Sequence, residues 1–198
     1  MVNPTADIVL GSKSPRRKEL LSMIVPEFTI FTLDVDESFE EEQDVFKVAA
    51  FLAEKKAKAI LPYLSPNQVL ITADSVVIVD NEILNKPEDR AHACEMLQKL
   101  SGKWHFVQTG MAISKNNVVE VFTETSRVLF DELSQSLIEQ YVDDCLPYDK
   151  AGSYGIQDWI GFVGVKQIEG SYSNIMGLPV QRLYRELLAF LDKKELRP

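Results

Sequence analysis

A short basic segment near the start of the chain is the first group of residues whose types and spacing could do chemistry. Residues 11–18 read Gly-Ser-Lys-Ser-Pro-Arg-Arg-Lys, with four cations and two hydroxyls. Ser14 is a good N-cap and Pro15 a good first residue, so we predict that a helix begins here. The cations then crowd the positive end of the helix dipole, which is unfavourable unless an anion binds among them.

An anion bound at this helix start would meet several donors. These are the hydroxyls of Ser12 and Ser14, free backbone N–H groups, and a guanidinium fork from Arg16 or Arg17. Triphosphate is the obvious candidate. The charge run by itself is explained equally well by a solvated basic turn, but the strand-loop-helix setting favours phosphate. The segment lacks the pattern G-x-x-x-x-G-K-[ST], so it is not a P-loop.

A carboxylate inside an apolar run is the second chemical feature. Asp74 interrupts the predicted strand of residues 69–79. Aspartate is rare inside strands, and an ionised group there is costly unless a metal or hydrogen bonds compensate it. With Glu37, from the acidic segment of residues 34–44, Asp74 could hold Mg²⁺ or Mn²⁺ through the oxygen ligands that these cations share with substrate phosphates. The alternative is a local bulge in which Asp74 only accepts from a neighbouring N–H.

Three lysines are further candidates for contact with a polyphosphate. Lys56 falls on the apolar stripe of a predicted helix over residues 45–61, whereas its two lysine neighbours point away from that stripe. Snorkelling near the end of the helix explains this placement equally well. Lys86, after a predicted hairpin, and Lys150, in a glycine-rich loop, are similar cations for which a surface position is the default interpretation.

Composition and charge argue against several classes of function. The formal net charge of −9 makes the surface repel nucleic acids and anionic membranes. The two cysteines and two histidines show no metal-ligand or catalytic spacing, so a disulfide framework, a zinc site and a Ser-His-Asp triad lack support. The chain starts without a signal-peptide pattern, and no segment approaches the apolar length of a membrane span. We therefore expect a cytoplasmic protein.

The elements that must position these residues interleave along the chain. We predict strands at residues 8–10, 28–35, 69–79, 82–84, 104–114, 118–130 and 162–168, and helices at residues 15–25, 45–61, 88–100, 135–143 and 179–191. Tight turns at residues 80–81 and 115–117 make two hairpins. Because hairpins occur beside the interleaved helices, we predict an α/β fold with a mixed, twisted sheet and flanking helices.

A set of short motifs carries a resemblance to a known family. In chain order, the motifs are Ser-Lys-Ser-Pro-Arg-Arg followed by Leu-Leu (residues 12–21), Ala-Asp-Ser (73–75), Lys-Pro (86–87), Leu-Ser-Gly (100–102), Asp-Lys-Ala-Gly-Ser-Tyr-Gly-Ile-Gln (149–157), Gly-Ser-Tyr-Ser-Asn (170–174) and Gly-Leu-Pro (177–179). They span nearly the whole chain in order. With them the chain resembles the Maf family of nucleotide pyrophosphatases, also described as septum-formation inhibitors. The resemblance implies one Maf-like domain over residues 1–198, with two lobes around a cleft, similar to inosine triphosphate pyrophosphatases, and a homodimer.

The resemblance also implies an activity and a set of site residues. It implies hydrolysis of a nucleoside triphosphate to the monophosphate and pyrophosphate, which cleans the nucleotide pool. The family's site positions fall here on Ser12, Arg16, Arg17, Glu37, Lys56, Asp74, Lys86 and Gln157. The position of Asp74 is that of the family's proton acceptor. We expect Glu37 and Asp74 to hold a divalent metal on the triphosphate while the cations neutralise its charge.

The substrate branch is indicated by three positions. Arg16, the residue after Asp74, and Gln157 resemble the branch that acts on dTTP and UTP. The amide of Gln157 offers one acceptor and one kind of donor, which match the N3–H and O4 of uracil or thymine. Ser75 stands where that branch has threonine, and it keeps the hydroxyl. The alternatives are a pyrophosphatase for another base, such as 7-methyl-GTP, and a non-catalytic nucleotide-binding regulator of cell division. The intact acidic and lysine positions argue against the second.

Overall fold

The structure, a computed structural model, describes residues 7–39 and 44–195. Its strands are β1 (Asp7–Leu10), β2 (Thr29–Ile30), β3 (Gln68–Val79), β4 (Glu82–Leu84), β5 (Trp104–Lys115), β6 (Val118–Phe130) and β7 (Val165–Glu169). Its helices are α1 (Pro15–Ser22), α2 (Val45–Ile60), α3 (Arg90–Leu100), α4 (Gln135–Cys145), α5 (Trp159–Val163), α6 (Tyr172–Ile175) and α7 (Val180–Glu195). None of these described helices has the length and apolar character needed to cross a membrane.

The described strands form a seven-stranded mixed sheet. Their order is β2-β1-β3-β5-β6-β7, and β4 pairs with β3 off this path. The pairs of β1 with β2 and β3 are parallel, whereas the pairs of β3 with β4 and of β6 with β7 are antiparallel. The predicted α/β fold class with a mixed sheet and flanking helices is therefore confirmed.

The chain divides into two compact units. Unit 1 comprises Met1–Asp74, Thr109–Glu124 and Gly177–Pro198, and unit 2 comprises Ser75–Gln108 and Thr125–Met176. The boundaries fall inside β3, β5 and β6, so each of these long strands contributes residues to both units. The division agrees with the two predicted lobes, while the single domain over residues 1–198 and the cleft stay predictions.

Unit 1 is built on the short parallel strand β1 and the long helix α2. The side chain of Asp44 caps α2 by accepting from the N–H of Phe46. The apolar face of α2 packs into a core cluster of Val9, Ala57, Ile60, Leu70 and Ala112. Gly110 of β5 permits this close packing, because an added Cβ would lie 2.1 Å from the carbonyl oxygen of Ala49. A side chain at Gly110 would therefore displace α2.

Unit 2 joins antiparallel strands to two capped helices. Asp89 caps α3 by accepting from the N–H of His92, and Gly102, with φ of 69°, follows the end of that helix. Ser134 caps α4 by accepting from the N–H of Leu137. Both helices contribute to one apolar cluster with the unit 2 strands, in which Leu97, Phe130 and Tyr141 are fully buried.

One predicted strand is much shorter than its sequence pattern suggests. Residues 28–35 alternate like a strand, but β2 contains only Thr29–Ile30. The cause is the length of its partner: Ile30 pairs with Leu10, the last residue of β1, after which the chain turns into the loop before α1. Alternation alone cannot extend a strand beyond the partner that satisfies its backbone.

A second difference concerns the predicted strand of residues 162–168. The first part of this run belongs to α5 (Trp159–Val163), and the strand β7 begins later, at Val165. The N–H of Gly161 donates to the carbonyl of Asp158 at 2.9 Å, which closes a helical turn. A short apolar run does not by itself distinguish a strand from a helical turn.

Candidate functional site

A buried hydrogen bond in unit 1 fixes the helix that carries Lys56 against the strand that carries Asp74. The hydroxyl of Thr72 in β3 donates to the carbonyl of Ala53 in α2 at 2.7 Å. Thr72 and Asp74 lie on the same face of β3, and Ala53 and Lys56 lie three residues apart on the same face of α2. The bond therefore sets the approach of Lys56 to Asp74. Sequence reasoning missed Thr72, although its two-residue spacing from Asp74 places it on the same face.

The ammonium of Lys56 bridges two carboxylates. It contacts Glu37 Oε1 at 2.6 Å and also contacts Asp74 Oδ1. The side chains of Lys56 and Asp74 are 14% and 11% exposed, whereas that of Glu37 is 48% exposed. Lys56 thus faces inward, and Asp74 does more than accept from a neighbouring N–H. The mutual contact compensates charges that would be costly to bury singly.

The loop before α1 holds its two serines by local hydrogen bonds. The Oγ of Ser14 accepts from the N–H of Arg17 at 3.4 Å, which confirms the predicted N-cap. The Oγ of Ser12, which is almost fully buried, accepts from the N–H of Ser14 at 3.2 Å. Because both oxygens act as acceptors in these bonds, each hydroxyl keeps its own hydrogen for donation to an anion.

Arg17 ties the start of α1 to two other parts of unit 1. Its Nε donates to the carbonyl of Gly177 at 2.9 Å, and its Nη1 donates to the carbonyl of Ala73 at 2.7 Å. Burial lowers the pKa of Arg17 below its ordinary value, while the charge of Asp74 opposes that shift and the like charge of Arg16 adds to it. Arg17 therefore lies within electrostatic range of Asp74, and part of its predicted anion-binding fork is used by backbone carbonyls.

The other cations of the basic segment differ in their surroundings. Lys13 contacts Asp34 at 2.5 Å in an exposed ion pair, so the acidic segment neutralises it. Arg16 is half-buried and Lys18 is exposed. Unit 1 thus brings the predicted residues Ser12, Ser14 and Arg16 to the start of α1, and joins Arg17, Lys56, Glu37 and Asp74 through contacts and charge.

The two predicted metal ligands fit a divalent cation by chemistry. Glu37 and Asp74 direct oxygens at a single positive charge, the Lys56 ammonium. Carboxylate oxygens that converge in this way are the ligands that Mg²⁺ and Mn²⁺ take. Within residues 7–39 and 44–195, no group of three or more His, Cys, Asp and Glu side chains is arranged around a metal position.

The remaining predicted residues, Ser75, Lys86 and Gln157, belong to unit 2. Ser75 is half-buried in β3, and Lys86 is exposed after β4. Gln157 is half-buried, and its Oε1 is a buried atom without a hydrogen-bond partner among the described residues. A buried acceptor without a donor is costly, which suits a group that accepts from a ligand.

Lys150 corrects the default surface interpretation of the sequence. Its side chain is only 12% exposed, and its ammonium contacts Asp149 at 2.8 Å and approaches Asp158 to 3.7 Å. The glycine-rich loop that carries Gln157 is therefore held by charged as well as backbone contacts.

The chain is similar to known proteins along nearly its whole length. Residues 7–190 match the sequence model of the family described as Maf-like protein. A protein of Bacteroides thetaiotaomicron named dTTP/UTP pyrophosphatase is 48% identical over 181 residues, which cover 91% of this chain and 94% of that relative. A protein of the same name from Porphyromonas gingivalis is 48% identical over 186 residues, which cover 92% of this chain and 94% of that relative.

Among solved structures, the Ham1 protein of Staphylococcus aureus matches at 18% identity with a TM-score of 0.47, over 63% of this chain and 71% of that chain. A Mycobacterium abscessus protein described as nucleoside-triphosphatase / dITP/XTP pyrophosphatase matches at 18% identity with a TM-score of 0.36, over 63% of this chain and 72% of that chain. The match to the family over residues 7–190 and the identity to the curated relatives agree with each other. The chain therefore belongs to the family of Maf-like proteins.

Proposed function

We propose that this protein is a nucleoside triphosphate pyrophosphatase that hydrolyses dTTP and UTP to the monophosphate and pyrophosphate. The names of relatives that are 48% identical over more than nine tenths of the chain support the reaction and the bases. The observation that carries the proposal is the buried Lys56 ammonium, which joins Glu37 and Asp74 beside the anchored Arg17. Such a concentration of opposite charges suits a polyanionic substrate with a reacting water.

In the proposed reaction, Asp74 is the proton acceptor. A water oxygen attacks the α-phosphorus, the bond from that phosphorus to the oxygen bridging the α- and β-phosphates breaks, and pyrophosphate leaves. The water proton passes to the Asp74 carboxylate. Lys56 holds Asp74 Oδ1 in place and keeps a positive charge beside the negative charge that develops on the phosphate.

A divalent metal, Mg²⁺ or Mn²⁺, is part of the proposal. Glu37 and Asp74 would hold it, because Lys56 draws the two carboxylates toward each other and oxygen ligands of this kind suit these cations. When bound, such a metal neutralises phosphate charge and orients the polyphosphate. The hydroxyls of Ser12 and Ser14 and the cations Arg16, Arg17 and Lys86 are proposed to bind the phosphates.

Base choice is proposed to depend on Gln157, with Ser75 as a further substrate contact. The buried Oε1 of Gln157 is an acceptor for the N3–H of uracil or thymine, and its amide N–H is a donor for O4. We also propose a cytoplasmic homodimer with a role in cleaning the nucleotide pool. Fractionation of the source cells and the mass of the purified protein in solution test the location and the assembly.

A substrate panel tests the proposed function. The purified protein is incubated with normal and modified nucleoside triphosphates, including 7-methyl-GTP, with Mg²⁺, with Mn²⁺ or with a chelator. We expect pyrophosphate and the monophosphate from dTTP and UTP in the presence of metal. Release of orthophosphate would place the cut elsewhere in the triphosphate. Binding without turnover would favour a non-catalytic regulator, and a preference for 7-methyl-GTP would move the chain to another branch.

A further inference from the structure

Gln157 lies in a tight turn whose two ends are both held by one buried side chain. The turn spans residues 155–158 and is closed by a hydrogen bond of 3.0 Å from the N–H of Asp158 to the carbonyl of Gly155. The hydroxyl of Tyr141, in α4, accepts from the N–H of Gly155 at 3.1 Å and donates to Asp158 Oδ2 at 2.8 Å. The same oxygen of Tyr141 therefore joins the first and the last residue of the turn.

The environment of this contact keeps Tyr141 able to donate. Its side chain is fully buried, and that burial is the main cause that raises the pKa of Tyr141 well above its ordinary value. The phenol therefore keeps its hydrogen near neutral pH. Its hydrogen is then committed to the Asp158 carboxylate and its oxygen lone pair to the Gly155 N–H.

The identity of residue 155 fits the same arrangement. A Cβ added at Gly155 would lie 2.5 Å from Asp158 Oδ2, so a larger residue would push the carboxylate away from the turn. Ile156, inside the turn, and Ile160, two residues after it, are both buried in unit 2. The backbone on both sides of Gln157 is thus fixed, while the Gln157 Oε1 remains a buried acceptor without a partner among the described residues.

We propose that Tyr141 and Asp158 are positioning residues that set base selectivity by holding the turn that presents the Gln157 amide. This inference rests on the proposed function, in which Gln157 reads the base. Uracil presents a donor at N3 and an acceptor at position 4, and cytosine presents the reverse pattern. A carboxamide can distinguish the two bases only when its own position is held closely, because a displaced amide makes weaker hydrogen bonds to the correct base. Neither residue contacts the reacting groups in this role, and each acts through the backbone at Gln157.

The test compares UTP with CTP, because these substrates differ only in the donor-acceptor pattern at N3 and position 4 of the base. Tyr141→Phe removes one oxygen and leaves the ring in the core. We expect the ratio of kcat/KM for UTP to that for CTP to fall about tenfold, mostly through KM for UTP. In a Gln157→Ala background, the same Tyr141→Phe change should leave that ratio unaltered, because the reading group is absent.

Tyr154→Phe is the matched control. Tyr154 is also buried in unit 2, and its hydroxyl lies 2.7 Å from Nε2 of His105 rather than on the turn. This variant loses a buried hydrogen bond of the same kind, so we expect lower thermal stability with an unchanged ratio of UTP to CTP. A general loosening of unit 2 would instead change the ratio in both variants and would overturn the positioning role.

Two further measurements keep the outcome decisive. If Tyr141→Phe does not fold, Asp158→Ala removes the other contact of the turn, and the same ratio is measured. If the unaltered protein does not hydrolyse UTP, the proposed function fails first, and the ratio of Kd for UMP to Kd for CMP tests the turn by binding. An unchanged ratio in the folded variant, or an equal fall in the Gln157→Ala background, would overturn the inference.

Discussion

The buried polar groups around Asp74 in unit 1 and around His105 in unit 2 differ in charge. In unit 1 the centre is ionic, because the mostly buried side chains of Lys56 and Asp74 form an ion pair with each other. In unit 2 the pair of His105 Nε2 and the Tyr154 hydroxyl, 2.7 Å apart, is buried and neutral beside Phe130. Burial lowers the pKa of His105 to about 3 and raises that of Tyr154 above its ordinary value, so both stay uncharged near neutral pH.

Another buried polar group of unit 2, Asn174, is also neutral, although the ion pair of Lys150 with Asp149 shows that this unit holds a mostly buried charge as well. Asn174 is fully buried, and its amide donates to the carbonyl of Val107 at 2.9 Å and to the hydroxyl of Ser126 at 2.9 Å. These contacts join segments of the fold. Buried charge in unit 1 is costly to hold and suits chemistry, whereas neutral hydrogen bonds in unit 2 suit structure. Loss of a charge in unit 1 should therefore reduce turnover more than stability. Loss of a neutral group in unit 2 should do the reverse, except at Gln157 and at Tyr141, which holds the turn of Gln157.

The largest expected effect is that of Asp74→Asn. The change keeps the shape of the side chain and removes the proton acceptor, so we expect kcat to fall by roughly 10²-fold or more while the protein stays folded. Asp143→Asn is the control, because Asp143 forms an exposed ion pair with Arg90 at 2.6 Å. Steady-state kinetics and circular dichroism provide the measurements. Near-normal turnover in folded Asp74→Asn would remove Asp74 from the mechanism.

Gln157→Glu tests the exception in unit 2. A carboxylate accepts hydrogen bonds but cannot donate to the O4 of uracil or thymine, so we expect kcat/KM for dTTP and UTP to fall by roughly 10²-fold. The kcat/KM for GTP should fall less or increase, because guanine presents N1–H and N2–H donors to the carboxylate. The comparison is internal to one variant. An equal fall for dTTP, UTP and GTP would mean that Gln157 does not read the base.

Lys56→Met removes the ammonium that Glu37 and Asp74 share and keeps the length of the side chain. We expect kcat/KM to fall by roughly 50-fold, because a positive charge beside the developing phosphate charge is lost. Lys58→Met, in which an exposed lysine of the same helix is changed, is the matched control. Thermal unfolding of both variants separates catalysis from stability. Unchanged kinetics in Lys56→Met would return Lys56 to the snorkelling interpretation.

The smallest effect is a pH dependence of stability that comes from His105. The unfolded chain binds a proton below the ordinary pKa of 6.5, whereas the folded state does not until about pH 3. The unfolded state therefore binds more protons in this window, and the free energy of unfolding falls as pH decreases, by about 2 kcal/mol from pH 6.5 to 5. His105→Leu should lose this part of the acid dependence, measured by denaturant unfolding at several pH values. Parallel pH profiles of the two proteins would contradict the neutral burial of His105.

The sequence predicted most elements because their boundaries are set by local chemistry. The caps Ser14, Asp44 and Ser134 and the hairpin turns have side-chain and backbone preferences that act within a few residues. Two strand predictions had incorrect bounds. The run of residues 162–168 begins in the helical turn α5 before it enters β7, and the strand predicted over residues 28–35 is limited by its partner β1. A strand ends where its neighbour ends, and that neighbour cannot be identified from alternation.

The candidate site likewise combines features that local sequence predicts with contacts that depend on tertiary packing. Residue types and the apolar stripe of α2 determined that Lys56 faces inward and that Asp74 needs compensation, because burial of charge is unfavourable in any fold. Tertiary structure alone decided that the two meet, through the bond from Thr72 to Ala53, and that Tyr141 holds the turn of Gln157. These contacts join residues whose separation in sequence carries no pattern, since they depend on how helices and strands pack after local structure has formed.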